Sequence, residues 1–174
     1  MWLKNLKKRL YFGLKSVKKP LTISFLSLIF SLTFLTMNAD ALSYNNRSLM
    51  DADFAGQDLR DSSFDHANLR GSNFSNAQLQ GVRFFAANLE SASFEGADMR
   101  FSDLESARLV RTNFTNAVLE GAFAINTLFN GAIIDGADFT DILIRPDVQQ
   151  KLCDIASGTN PTTGRDTRET LNCF

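Results

Sequence analysis

A period of five residues governs the middle of the chain. In the stretch HANLRGSNFSNAQLQG, residues 66–81, the large apolar residues Leu69, Phe74 and Leu79 are five positions apart. An α-helix would repeat its buried residues every 3.6 positions, and a strand would repeat them at every second position. A period of five matches neither element, so the pattern predicts a repeat architecture.

The period continues in both directions without an insertion. A small residue stands two positions before each of the three apolar residues named above, and of the twenty positions in register only Ala124 is not large and apolar. We therefore predict one repeat array from about residue 47 to residue 145. Its twenty apolar positions are Leu49, Phe54, Leu59, Phe64, Leu69, Phe74, Leu79, Phe84, Leu89, Phe94, Met99, Leu104, Leu109, Phe114, Leu119, Ala124, Phe129, Ile134, Phe139 and Ile144.

The repeat reads A(D/N)LXX and resembles the pentapeptide-repeat family across the whole array. The resemblance implies an all-β solenoid over residues 42–145: a right-handed quadrilateral β-helix of about five coils, with about 20 residues in each coil. Residues 20 apart would then lie one above the other, where opposite charges attract. Three pairs of charged residues have this spacing: Arg70 and Glu90, Arg83 and Asp103, and Arg100 and Glu120.

Residues 1–41 are a different kind of sequence. The first 19 residues hold seven Lys or Arg and no acid, and sixteen uncharged residues follow from Leu21 to Thr36. With Ala39-Asp40-Ala41 after them, they predict a secretory signal peptide cleaved after Ala41. The alternative is an uncleaved membrane anchor, but sixteen residues fall short of the ~20 that span a bilayer.

Removing residues 1–41 makes the protein acidic. Residues 42–174 keep 11 basic and 18 acidic residues, a formal charge of 11 − 18 = −7. Binding to nucleic acid through phosphate contacts needs a basic surface, so we expect no nucleic-acid partner of that kind. The signal peptide is the only expected contact with a membrane, before its cleavage.

Two cysteines, Cys153 and Cys173, lie beyond the array in a chain that is predicted to be exported. An oxidising compartment predicts one disulfide between them. Metal binding is the alternative, although the single histidine, His66, lies far away at an outward position, so a zinc site would lack ligands.

The tail, residues 146–174, is predicted to form a short helical cap. Its stretch PDVQQKLCDIASG predicts a helix that opens at Pro146 and ends at Gly158, with Val148, Leu152 and Ile155 on one face. A second helix is predicted to begin at Asp166, where DTRE has the form of a capping box. We expect the cap to cover the open end of the array and block stacking with a second molecule.

The segment from Leu152 to Cys173 resembles the C-terminal segment of lumenal pentapeptide-repeat proteins of photosynthetic membranes, in cyanobacteria and chloroplasts. The resemblance implies a location in the thylakoid lumen, and the export signal alone serves the periplasm equally well. The resemblance of this segment depends on Cys153, Ala156, Gly158, Asn160-Pro161, Thr163-Gly164, Thr167-Arg168, Leu171 and Cys173.

Five apolar residues occupy outward positions on one side of the predicted square: Phe85, Phe101, Phe123, Ile125 and Leu143. Clustered aromatic residues outside a core indicate a contact surface. Three interpretations stay open: the tail helix folds back over the lower part of this side, a protein partner or a second copy binds there, or the cluster has no role.

The sequence favours a noncatalytic interaction or scaffold protein that is exported, has an unidentified protein partner and is a monomer or weak dimer. No cofactor is expected, and the acidic residues of the repeat are interpreted as solvated turns rather than calcium ligands. The alternative is a DNA mimic that binds DNA gyrase, as some pentapeptide-repeat proteins do. An enzyme is not predicted, because the small polar residues that the repeat requires on its surface define no catalytic group.

Overall fold

The structure, a computed structural model, describes residues 42–173. The predicted signal peptide and its cleavage site lie outside the described residues. The array contains no extended strand, because each five-residue unit contributes a single bridge residue. These residues pair in parallel with the equivalent residue four units later, in an unbroken series from Ser43↔Ser63 to Phe123↔Leu143. One coil therefore takes four units, one for each of its four sides, and the span 43–144 completes about five coils.

The large residue of each unit points inward and fills the axis of the coil. All inward residues from Phe54 to Phe139 are buried, and those at the two ends are partly buried. We number the four sides in chain order. Their inward residues are Tyr44, Phe64, Phe84, Leu104, Ala124 and Ile144 on side 1; Leu49, Leu69, Leu89, Leu109 and Phe129 on side 2; Phe54, Phe74, Phe94, Phe114 and Ile134 on side 3; and Leu59, Leu79, Met99, Leu119 and Phe139 on side 4.

Columns of aromatic rings on sides 1 and 3 meet across the axis. Rings in one column stack, as Phe54 and Phe74 do with their centroids 4.9 Å apart. Rings of opposite columns meet edge-on, as Phe64 and Phe74 do at 5.7 Å. Both are the arrangements that aromatic pairs prefer. The mainly leucine columns of sides 2 and 4 occupy the remaining interior.

Each corner of the coil lies two residues after an inward residue and has a left-handed backbone. All of these corner residues have φ between +54° and +70°. Gly, Asn and Asp tolerate this conformation best, which explains their frequency at this position. Phe101, with φ +58°, is a bulky exception.

Two of the three expected charge pairs form between neighbouring coils. They are Arg83 with Asp103 at 4.0 Å and Arg100 with Glu120 at 3.9 Å. The third expectation was wrong, because the carboxylate of Glu90 pairs with Arg108 at 3.0 Å and with Arg111 instead of Arg70. The hydrogen bond from Arg108 lowers the pKa of Glu90.

Helix α1 spans Pro146–Cys153 and begins where it was predicted. It ends five residues earlier than predicted, and Ile155 lies outside it with half of its surface exposed. The physical reason is that the chain turns back to the array, where the carbonyl of Ser157 accepts a hydrogen bond of 2.8 Å from the Gly136 N–H.

Helix α2 spans Thr167–Thr170. The carboxylate of Asp166 caps it by accepting a 2.9 Å hydrogen bond from the Arg168 N–H, which confirms Asp166 as the cap. Within residues 42–173 the Glu169 side chain makes no return bond to Asp166, so the predicted capping box is only half formed. A disulfide joins Cys153, the last residue of α1, to Cys173, with the two Cα atoms 5.5 Å apart. Neither helix has the length and apolarity that a membrane span requires, within the described part of the chain.

Candidate interaction surface

Four apolar residues are exposed together on side 1 of the last two coils. We call them the side-1 patch: Phe101, Phe123, Ile125 and Leu143, with exposed fractions of 64%, 48%, 36% and 50%. Phe123 and Leu143 are neighbours in one column, since both take part in the same parallel bridge. The fold therefore brings together four of the five residues that the sequence singled out.

Phe101 lies at the corner between side 4 and side 1. Its ring covers the backbone of Gly121 in the next coil so closely that a Cβ atom on Gly121 would lie 2.7 Å from the ring. Glycine at position 121 therefore makes room for the ring. The exposed side of the ring faces solvent.

Phe85 is only half-buried and lies below the side-1 patch. Its ring packs edge-on against the His66 ring, with centroids 5.5 Å apart. Glu105 occupies the next position in the same column and separates Phe85 from Ile125. Phe85 is therefore an outlying member of the predicted cluster rather than part of its centre.

The tail does not cover the side-1 patch, so the first of the three interpretations was wrong. Helix α1 faces residues 126–132 on side 2 across a groove, and the loop after it lies against the corner between sides 3 and 4. The tail takes this course because Pro146 starts the helix directly after side 1 of the last coil. Leu128 and Ile133, on sides 2 and 3, also stay about half exposed.

Asn160 fixes the tail to the array. Its buried Nδ2 donates hydrogen bonds to the carbonyls of Asn116, Ala117 and Gly136 at 3.2, 3.1 and 2.8 Å. Its Oδ1 accepts from two backbone N–H groups of the tail itself. Asn160 thus binds two corner carbonyls, which the ladder between coils leaves free, and adds a second donor to the Ala117 carbonyl, which already accepts from the Asp138 N–H.

A buried acid forms a second link between the tail and the array. The side chain of Asp138 is fully buried, and one oxygen accepts a hydrogen bond from Arg165 at 3.2 Å. Burial by itself raises the pKa of Asp138, but hydrogen bonds from Thr140 and the charge of Arg165 hold it below its ordinary value. Asp138 is therefore ionised and paired at neutral pH.

The sequence reasoning missed this pair and the role of Asn160. Asp138 stands in the unit position that carries Asp or Asn in several coils, so nothing distinguished it in the sequence. Asn160 is one of the residues on which the resemblance of the tail depends, and this could have singled it out in the sequence.

A groove lies between α1 and side 2 of the last coil. Its volume is about 530 Å³, and its walls are residues 126–132 and one face of α1. The sequence did not predict this groove, because its existence depends on the distance between the helix and the array. No cluster of three or more His, Cys, Asp or Glu suited to a metal ion occurs within residues 42–173.

Comparison with known proteins identifies the family. Matches to a pentapeptide repeat region and to pentapeptide repeats in eight copies cover residues 37–114 and 107–143. A solved pentapeptide repeat protein from the thylakoid lumen of Arabidopsis thaliana is 45% identical to this chain, with a TM-score of 0.73. The similarity covers 74% of this chain and 89% of that protein. This chain belongs to the pentapeptide-repeat family. The predicted family is confirmed, and the solved members give the array their right-handed quadrilateral β-helix.

Other relatives of this pentapeptide-repeat protein are more distant or match a shorter stretch. A solved pentapeptide repeat protein from the cyanobacterium Cyanothece 51142 is 17% identical, covers 68% of this chain and 88% of its own, and has a TM-score of 0.59, a likeness of fold alone. The thylakoid lumenal 15 kDa protein 1 of Arabidopsis thaliana chloroplasts is 54% identical over 37 residues. That stretch is 21% of this chain and only 16% of the relative.

Proposed function

We propose that this pentapeptide-repeat protein is an exported, noncatalytic interaction or scaffold module of the thylakoid lumen or periplasm, and that the side-1 patch is the surface that binds its protein partner. The patch carries the proposal. Phe101, Phe123 and Leu143 expose about half or more of their surface, although the same repeat places polar residues at most outward positions. Aromatic residues exposed together are typical of binding surfaces.

The geometry of the corner at Phe101 supports a role in binding. The left-handed backbone disfavours a bulky side chain, and Asn or Gly would fit there without strain. Stability of the coil therefore does not explain a phenylalanine at position 101, whereas an exposed ring that contacts a partner does.

The charges around the patch support a partner with a basic rim. Glu105 and Asp141 stand beside its apolar residues, Asp103 pairs with Arg83, and residues 42–174 carry a formal charge of −7. Complementary charge at the rim of an interface speeds association and selects the partner. The proposed partner therefore presents apolar side chains flanked by Lys or Arg.

Two observations support the lumenal location. The Arabidopsis relatives are described as thylakoid lumenal proteins, and the disulfide is compatible with an oxidising compartment. The noncatalytic role is supported by the interior, where apolar side chains occupy all four columns. The alternative, a gyrase-binding DNA mimic, gains no support from these relatives.

Site-specific photo-crosslinking in the native cells tests the proposal. A photoreactive amino acid replaces Phe123, and the matched control replaces Glu95, which is exposed on the opposite side of the coil. We expect a discrete crosslinked protein at position 123 and none at position 95. The same band should disappear when Phe101→Asn is added.

Three outcomes would contradict the proposal. Equal crosslinking at both positions would mean that the patch has no special role. A crosslink that persists with Phe101→Asn would exclude Phe101 as a contact. A crosslink to a second copy of this chain would replace the proposed partner with a homodimer.

A further inference from the structure

The backbone ladder on side 2 runs through every coil in the same way. In the earlier coils the N–H of the inward residue donates to the carbonyl of the residue 19 positions later, at 2.7–2.9 Å. The N–H of the corner residue does the same at 2.9–3.0 Å. The last such bonds are Leu109 N–H to the Leu128 carbonyl and Arg111 N–H to the Asn130 carbonyl. Each coil thus offers the next one a fixed set of donors.

The ladder also has an acceptor column. The carbonyls of Arg47, Ala67, Ala87 and Ala107 each accept a bond from the residue 21 positions later. The next members of the donor and acceptor columns are Phe129 N–H, Gly131 N–H and the Thr127 carbonyl. Within residues 42–173 these three groups have no hydrogen-bond partner. Side 2 of the last coil therefore ends as an open β-edge.

The edge stays open because of the chain that follows it. Residues 146–150 are in register to form the next unit on side 2, but Pro146 starts α1 there. The helix satisfies its own backbone groups, as in the bond from the Val148 N–H to the Arg145 carbonyl. The groove of about 530 Å³ is the space left between the helix and the edge.

The side chains of the groove are mainly apolar, with one available cation. Leu128, Phe129, Val148, Leu152 and Ile155 line it. Of its three charged residues, Arg145 pairs with Asp147 at 2.9 Å. The third, Lys151, is exposed and forms no ion pair with any residue in the range 42–173.

We propose that this groove binds an extended peptide segment of a partner protein, which adds to side 2 as the missing unit and carries an acidic residue that faces Lys151. Addition of a strand to an open edge is a common form of peptide recognition, in which backbone bonds give affinity and side-chain pockets give specificity. The peptide would accept bonds from Phe129 N–H and Gly131 N–H and donate one to the Thr127 carbonyl. The apolar wall would bury one large side chain of the peptide.

The proposal deepens the interaction role proposed above and rests on it, but it uses a different surface. The side-1 patch and the groove lie on different sides of the coil. A substitution that abolishes binding at one surface should therefore leave binding at the other surface unchanged.

The test uses a peptide with the sequence of residues 86–92, Ala-Ala-Asn-Leu-Glu-Ser-Ala, which is a side-2 unit of an inner coil. In the array, the N–H of its Asn donates to the coil below and the carbonyls of its Asn and Glu accept. The matched control peptide is N-methylated at Asn, which removes that donor. The full chain is expressed and purified after any processing, and its amides are followed by NMR.

We expect two results. In the free protein, the amides of Phe129 and Gly131 exchange with solvent faster than those of Leu109 and Arg111, which are already bonded. The peptide at millimolar concentration shifts the Phe129 and Gly131 amides in a saturable way, and the N-methylated peptide does not. Slow exchange of both amides in the free protein, or equal shifts with the two peptides, would overturn the proposal.

A charge reversal tests the acidic residue of the peptide. Lys151→Glu should weaken binding of the Glu peptide by about threefold, the size of one exposed charge pair, and a peptide with Lys in place of Glu should regain it. An unchanged affinity would exclude the acidic contact. Phe101→Asn should leave peptide binding intact, and Lys151→Glu should leave the side-1 crosslink intact, so failure of either proposal is recognised separately.

Discussion

At the scale of single residues, the corner of the coil decides which side chains the repeat tolerates. A left-handed backbone recurs at every fifth residue, and each corner lies directly above the corner of the previous coil. A side chain at one corner therefore meets the backbone of the next. The combination of Phe101 below Gly121 is an example, because a Cβ atom at position 121 would lie 2.7 Å from the Phe101 ring.

Substitution of two corner glycines measures this contact. Gly121→Ala places a Cβ atom 2.7 Å from the Phe101 ring, whereas Gly56→Ala meets nothing within 4 Å. Both positions have nearly the same φ, so both variants carry the same backbone strain of about 1–2 kcal/mol. We expect Gly121→Ala to lower the free energy of unfolding by about 1 kcal/mol more than Gly56→Ala in chemical denaturation. Equal losses would mean that the Phe101 ring moves aside without cost.

The buried carboxylate of Asp138 gives a pH dependence with a definite sign. Its pKa in the folded state lies below the unfolded value of about 4, so the ionised group stabilises the fold above that pH and the contribution is lost as the pH falls through the folded-state pKa. Asp138→Asn should therefore lower the free energy of unfolding by about 2 kcal/mol at pH 7, and by progressively less below pH about 4. Thermal unfolding between neutral and acidic pH measures the difference.

The control for this experiment is Asp154→Asn, since Asp154 is an exposed acid in the same tail. It should change the stability little at any pH. A difference between wild type and Asp138→Asn that stays constant down to acidic pH would contradict the role given to the Asp138 carboxylate.

At the scale of elements, the array and the tail differ in how they are held. The array depends on contacts that recur once in every coil, whereas the tail is fixed by a few specific groups. Asn160, Arg165 and the disulfide each connect positions that no repeat relates. The tail should therefore be the part that responds most to single substitutions.

Removal of the disulfide tests this difference. The bond closes a loop of 20 residues that includes Asn160, Arg165 and α2. A Cys153→Ser, Cys173→Ser double variant should lose about 3 kcal/mol of stability in the chain-entropy estimate. Hydrogen exchange should show faster opening of the tail and unchanged protection of the inner coils. Reduction of the wild type is the control and should give the same loss. An unchanged melting temperature in both cases would contradict a stabilising role of the disulfide.

The same difference explains how much the sequence could predict. The pentad pattern is a local signal, so the array, its register and the inward residues could be read from it directly. The helix start at Pro146 and the cap at Asp166 are local as well. The early end of α1 was not predictable, because it depends on the Ser157 carbonyl meeting Gly136, which belongs to the last coil of the array.

The candidate surfaces were predictable only in part. The side-1 patch follows from the periodicity of the coil once outward apolar residues are counted. The exposure of the patch could not be predicted, because the sequence was equally compatible with a tail that folds over side 1. The groove and the partners of Asn160 depend on contacts with residues 24 to 44 positions away, and no periodic rule connects them.

At the scale of the whole described molecule, the repeat makes each coil interchangeable. Deletion of residues 65–84 removes one full turn and joins Phe64 to Phe85 in the original phase. We expect this variant to fold cooperatively with a lower stability, since it loses one coil of buried side chains but keeps its last coil and tail. Circular dichroism and thermal unfolding measure both properties.

A deletion of positions 65–82 is the control, because it stops two positions short of a full turn. It breaks the phase of the inward residues, so polar side chains would point to the axis, and we expect no cooperative transition. Equal behaviour of the two deletions would mean that the register of the coils does not determine the fold.

The chain leaves the array at Arg145-Pro146, directly after side 1, so side 2 is the first side that lacks a further unit. The length of the array, and the rotation of its coils relative to the tail, can consequently change only in fixed steps. Gaining or losing one whole coil inside the array changes the distance between its two ends by the spacing of one coil. It preserves the angle between the side-1 patch and the groove. A change of a single five-residue unit would rotate everything before it by a quarter turn relative to the tail, so only whole turns lengthen the array and keep the earlier coils aligned with the side-1 patch and the groove.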